Sequence, residues 1–158
     1  MLLYGEPRLT KDIDITVGAN VDRLEELLSM VKELSLDPLP ENVPSFVQKT
    51  MVLPVLERNT GIRVDFIFSF TPYETQAIER GKKVLIYGQE INFASVEDLI
   101  IHKIFAGRPR DLEDVRTVLL KNPGIDVPYI KLWLNEFDAA VEEKRFLETF
   151  EEILRHNL

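Results

Sequence analysis

A single carboxylate interrupts an otherwise apolar run in this chain, and the fold has to accommodate it. Ile62-Arg63-Val64-Asp65-Phe66-Ile67-Phe68 reads as a strand buried on both faces, with Asp65 at its centre. An unpaired carboxylate there costs several kcal/mol or is forced neutral, so something must compensate it. The candidates are Arg63, two residues away on the same face, and a metal ion shared with other carboxylates. Asp12 and Asp14 are the carboxylates in question. Asp12 to Val17 alternates, with Ile13, Ile15 and Val17 on one face and Asp12, Asp14 and Thr16 on the other, the pattern of a half-buried strand. The Cα atoms of Asp12 and Asp14 then lie about 6–7 Å apart on the same face. Like charges held that close repel unless a cation sits between them. Magnesium suits such a pair, because it takes oxygen ligands and shares them with substrate phosphates. The plainer readings are a solvent-facing edge at Asp12-Ile13-Asp14 and a simple ion pair at Asp65.

The rest of the chain places these strands in an α+β domain with a mixed sheet, strands early and helices late. Asn20 or Asp22 caps a helix in which Leu24, Leu27, Leu28, Val31 and Leu34 recur at helical spacing. Asp37-Pro38-Leu39-Pro40 stops it, and a proline-rich loop is expected to about Phe46. Thr50 to Leu56 and Ile62 to Phe70, separated by Asn59-Thr60-Gly61, suggest antiparallel strands, with Pro54 placing the first at an edge or bulge. Thr71-Pro72-Tyr73-Glu74 opens a helix. Short strands follow at Val84 to Tyr87 and Ile91 to Phe93. Ser95 with Asp98, and Asp111 with Asp114, read as capping boxes. Amphipathic helices near Tyr129–Phe137 and Glu142–Arg155 close the chain. The division expected is 1–125 for the main domain, with C-terminal helices over 126–158 packed on it.

Composition excludes several chemistries. With 158 residues the chain is long enough to build its own core. It has no cysteine, so disulfides, thiolate zinc sites and thiol nucleophiles are out. Its two histidines, His102 and His156, lack a second imidazole at metal-ligand spacing, and His102 reads as a helix-surface residue. No nucleophile elbow, P-loop or dinucleotide fingerprint occurs. Trp133 and Phe137, four apart, read as core, and the acidic residues from Glu142 to Glu152 as a solvated helix face. The net charge of −8 argues against a general nucleic-acid coat, though not against an enzyme that meets phosphates locally. Lys103, Arg108 and Arg110 crowd one stretch. Neither a membrane span nor a signal peptide is evident, so the expectation is a cytoplasmic protein with no membrane partner.

Two stretches resemble a known superfamily. Gly5-Glu6-Pro7-Arg8-Leu9-Thr10-Lys11-Asp12-Ile13-Asp14-Ile15 is similar to the G-x-x-R-x-T-x-D-[IL]-D signature of nucleotidyltransferases. The likeness is to the branch of AbiEii-type abortive-infection toxins and minimal nucleotidyltransferases. Ser95 to Asp114 resembles a second signature, S-x-E-D-L-I-x-x-K-x-x-A-x-R-x-[KR]-D-x-x-D, and Arg63-Val64-Asp65 lies between them. The resemblance implies an enzyme that transfers a nucleoside monophosphate from an NTP to an acceptor (RNA, protein or a small molecule) and releases pyrophosphate. It implies that Asp12, Asp14 and Asp65 hold Mg2+ or Mn2+, as a two-metal site, with Lys103 also catalytic. Arg8 and Thr10 would flank the triphosphate, and Lys103, Arg108 and Asp111 would line the opposite wall. The sequence departs from the superfamily in one respect: no Gly-Gly or Gly-Ser pair precedes Asp12, and Gly5 stands alone. A lost strand, a start upstream of Met1, or an element supplied by a protein partner or second copy would each account for it. The alternative expectation is a non-catalytic binding or toxin–antitoxin interaction module with the same fold.

Overall fold

The computed structural model describes residues 3–5, 12–69, 71–142 and 144–157. The chain divides into two units, Leu9–Glu79 and Arg80–Leu158 together with Met1–Arg8. The architecture is α+β, with a mixed four-stranded sheet, a separate two-stranded sheet and a helical C-terminal half.

In the unit Leu9–Glu79, β1 (Asp12–Val17) leads through a 3-10 turn into α1 (Leu24–Glu33). Asn20 starts that turn: its side-chain oxygen accepts a hydrogen bond from the Val21 amide at 2.7 Å. Then come β2 (Asp37–Pro38), α2 (Val43–Thr50), β3 (Val52–Glu57), β4 (Ile62–Phe68) and α3 (Pro72–Glu79). The sheet order is β1-β4-β3-β2, with β1 parallel to β4 and the other pairs antiparallel. The β3–β4 hairpin closes as its turn residues suggest. The Glu57 carboxylate accepts from the amides of Asn59 and Thr60 at 3.0 and 2.8 Å, and Gly61 takes the left-handed conformation at φ 68°.

One face of this sheet makes the core. Leu53 and Val55 of β3, with Val64, Phe66 and Phe68 of β4, pack under Leu24, Leu27 and Val31 of α1 and Val47 of α2. Burying each such side chain contributes roughly 1.5–3 kcal/mol. The opposite face carries Asp12, Asp14, Arg63 and Asp65, because successive side chains of a strand point to opposite sides.

Three local expectations are corrected. The proline-rich loop holds α2, an eight-residue helix whose Asn42 side chain caps the Ser45 amide at 3.1 Å. Pro54 lies at neither an edge nor a bulge: β3 has β4 on one side and β2 on the other, in regular register. The β2 ladder pairs only Val55 and Leu56, and beside it Leu39 N donates to the Pro54 carbonyl at 3.0 Å, so Pro54 takes part as an acceptor and lacks only the return bond. Finally, β1 is an edge strand with both faces open at its start; Ile13 and Ile15 are 48% and 39% exposed, where half-burial was expected.

In the other unit, β5 (Lys82–Ile86) and β6 (Gln89–Phe93) form a hairpin through Tyr87 and Gly88, both at positive φ. The helices α4 (Val96–Ala106), α5 (Pro109–Lys121), α6 (Val127–Ala140) and α7 (Phe146–Asn157) follow. Their shared core includes Ile100, Ile101 and Ile104 of α4, Val115 and Val118 of α5, Ile130 and Leu134 of α6, and Phe150 of α7. Ser95 caps α4, accepting from the Asp98 amide at 3.1 Å, as its spacing suggested. Gly107, left-handed at φ 63°, ends α4, and Pro109 opens α5. Among the described residues, no helix is long and apolar enough to cross a membrane.

Candidate active site

The parallel pairing of β1 and β4 fixes where the three aspartates stand. Asp14 lies directly opposite Asp65, and Asp12 opposite Arg63. Paired strands run about 4.8 Å apart, and residues two apart on one strand lie about 6–7 Å apart. All four side chains therefore leave one face, their Cα atoms within roughly 8 Å of one another. Nothing in β1 alone imposes this; it follows from β4 lying beside it in this register.

Arg63 governs the electrostatics of the face. Its Nε donates to Asp65 Oδ1 at 2.7 Å, with the arginine side chain half exposed and that of Asp65 only 17% exposed. The hydrogen bond to Asp65 raises the guanidinium above its ordinary pKa, against the opposing effect of desolvation. The charges of Asp65, Asp12 and Asp14 add to the rise, so all three carboxylates act on this one cation. Asp65 is thus compensated by its strand neighbour, one of the two routes open from the sequence.

A divalent cation here would need oxygen donors that can converge on one point. Among the described residues, no three Asp, Glu or His side chains are gathered in positions to share an ion. The backbone nonetheless supplies a suitable set, with three carboxylates on one face of two adjacent strands, each having two side-chain torsions to turn inward. The donor chemistry suits a hard cation and the register puts the donors on one face, but the side chains do not converge as they stand, the Asp65 carboxylate being turned toward Arg63.

A second charged cluster lies in the other unit. Lys103 of α4 is 9% exposed, and its Nζ donates to Asp111 Oδ1 at 2.9 Å and Asp114 Oδ2 at 2.6 Å, both on α5. Arg108 Nε donates to the other Asp111 oxygen. Burial alone would raise the Asp111 pKa, but the hydrogen bonds and charges of Lys103 and Arg108 together hold it below the usual carboxylate value. Asp111 and Asp114 do not form the expected capping box. The amino-terminal boundary of α5 is Arg108, so both acids sit within the helix and fasten it to α4. The Lys103 amine is held between these two acids, with its side chain 11% exposed.

The family pattern described as "Nucleotidyltransferase of unknown function (DUF6036)" matches residues 1–156. The chain belongs to this nucleotidyltransferase family. No curated protein matches it.

The residues expected to serve a nucleotidyltransferase are distributed unevenly. Asp12, Asp14 and Asp65 share one sheet face in the unit Leu9–Glu79. Lys103, Arg108 and Asp111 form a mutually paired cluster in the other unit. Arg8 and Thr10 lie outside the described residues.

Sequence reasoning missed a third polar group. Asp98 is fully buried; its Oδ1 accepts from the Tyr129 hydroxyl at 2.9 Å, while Ser95 Oγ donates to Oδ2. Burial, then the Asp98 hydrogen bond and charge, raise the Tyr129 pKa well above that of a free phenol. The Arg80 guanidinium stacks 3.9 Å over the Tyr129 ring and pairs with Glu97, whose carboxylate also accepts from the Asp126 amide at 3.0 Å. Ser95-x-Glu97-Asp98 was visible as a cap, but its long-range partners carry no local signal.

Proposed function

We propose that this nucleotidyltransferase moves a nucleoside monophosphate from an NTP to an acceptor, in a reaction that depends on Mg2+ or Mn2+ held by Asp12, Asp14 and Asp65. The observation that carries the proposal is the β1–β4 register, which sets Asp14 opposite Asp65 with Asp12 on the same face. Bound there, a divalent cation supplies charge neutralisation for the triphosphate and lowers the pKa of an attacking hydroxyl. The protein's part is to align three carboxylates on a sheet, a firmer support than a loop. The phosphate contacts of Arg8, Thr10, Lys103 and Arg108 enter the proposal from the superfamily pattern. So does the AbiEii-type or minimal branch. Lys103 enters it already bonded to Asp111 and Asp114, so it also acts to position α5. RNA, a protein and a small molecule all remain acceptor classes of the proposal.

The direct assay is incubation of the protein with labelled NTPs, Mg2+ and cell extract. The proposal expects a labelled product that falls by at least about 100-fold in an Asp12→Ala, Asp14→Ala double variant, since loss of even an outer-shell partner costs 10–100-fold at metal sites. Equal labelling by both proteins, or none by either, would remove it.

The Arg63–Asp65 pair favours a second reading, a binding or toxin–antitoxin module of the same fold without catalysis. Calorimetry with NTP and Mg2+ separates the two. Metal-dependent nucleotide binding belongs to the enzyme, and its absence to the module.

A further inference from the structure

Arg63 occupies the place where a cation is wanted. It projects from β4 on the carboxylate face, opposite Asp12 and two residues from Asp65, and donates to Asp65 at 2.7 Å. The partners differ in freedom. The Asp65 side chain is 17% exposed and confined by the sheet, whereas that of Arg63 is 49% exposed and has solvent to move into. The Lys103–Asp111 pair is different: both side chains are enclosed, at 11% and 8% exposure, so neither has solvent to move into.

From this geometry we propose that Arg63 is a resident counter-cation: it neutralises the aspartate face while no metal is bound, and a divalent ion must displace it from Asp65 to bind. The inference rests on the metal-site reading above and adds a property to it. Metal affinity is set low by a built-in competitor, so Arg63 is a positioning residue that turns the Asp65 carboxylate away until the ion arrives. A displaced guanidinium is held by a flexible stem and stays within reach of the same face. It is therefore available to an anionic group, for which its planar fork is suited. The exchange involves no covalent chemistry, only one cation replaced by another on the same carboxylate.

The test is Mn2+ binding to the intact protein by calorimetry, comparing wild type with Arg63→Gln, Arg63→Lys and Arg58→Gln. Arg58 pairs with Asp37 in the same unit, so its loss removes one positive charge without freeing Asp65. A hydrogen bond to a charged group is strong enough that its removal corresponds to about a 10-fold gain in Mn2+ affinity for Arg63→Gln. Arg58→Gln is expected to stay within about 2-fold of wild type, the range of an exposed pair. Arg63→Lys, which restores a competing cation, is expected to fall between wild type and Arg63→Gln. Equal or weaker binding by Arg63→Gln overturns the inference while leaving the metal site intact. So does an equal gain from Arg58→Gln, which would reduce the effect to net charge. If neither wild type nor Arg63→Gln binds Mn2+, the three-aspartate site falls and the inference with it.

Discussion

The two charged clusters of this protein are built from the same kinds of side chain and solve opposite problems. In the unit with α4 and α5, Lys103 and Arg108 meet Asp111 and Asp114, two cations against two acids, with the lysine and both acids almost fully enclosed. On the β1–β4 face, three aspartates surround Arg63, and Asp12 and Asp14 are open to solvent. The units differ in the same sense: Leu9–Glu79 has 6 basic and 12 acidic residues, and the rest of the chain 13 and 15. A balanced, buried cluster needs nothing from solution and acts as a fastener. An acid-rich, open one sets three carboxylates against a single guanidinium. The buried pair is costly to break from either side, because the remaining charge has no water to return to.

The largest expected effect follows from that contrast. Lys103→Met leaves Asp111 and Asp114 enclosed without their ammonium, and should destabilise the protein by about 3–5 kcal/mol in denaturant unfolding. A loss below about 1 kcal/mol would mean that this cluster is no fastener. Tyr129→Phe comes next. It removes the donor to the buried Asp98 carboxylate and should cost about 1–3 kcal/mol by the same measurement.

The buried cluster also predicts a pH dependence of definite sign. Asp111 is held below its ordinary pKa of 3.8 in the folded protein, so its contribution is present above that value and is lost as pH falls through the depressed one. Urea unfolding from pH 6 down to pH 3 should show a loss that an Asp111→Asn variant, less stable at pH 6, shows less steeply. Parallel curves would contradict the assignment. The smallest stability effect belongs to the other cluster. Asp12→Asn should shift stability by no more than about 0.5 kcal/mol, as an exposed substitution, while removing Mn2+ binding.

The contrast also marks what the sequence made legible. Alternation in Asp12–Val17 gave β1 and its two faces, and Asn59-Thr60-Gly61 gave the β3–β4 hairpin, because both signals are local. The exposure of Ile13 and Ile15 was not legible, since edge position depends on which strands pair. α2 was hidden because its eight residues contain Pro44 and bury only Val47, too little for a periodic stripe. Asp111 and Asp114 showed the i, i+3 spacing of a cap. That same spacing puts two acids on one helix face, and the lysine they meet lies on α4, eight residues away from Asp111. At the candidate site Arg63 was one of the two compensators of Asp65 that the chain left open, and the structure shows it bonded there.

The central claim is that the β1–β4 face accepts a divalent cation, and diffraction from crystals grown with Mn2+ tests it most directly through the metal's anomalous signal. The account predicts a peak coordinated by oxygens of Asp12, Asp14 and Asp65, with the Arg63 guanidinium withdrawn from Asp65. A structure at saturating Mn2+ with no peak there, and with Arg63 still bonded to Asp65, would contradict it.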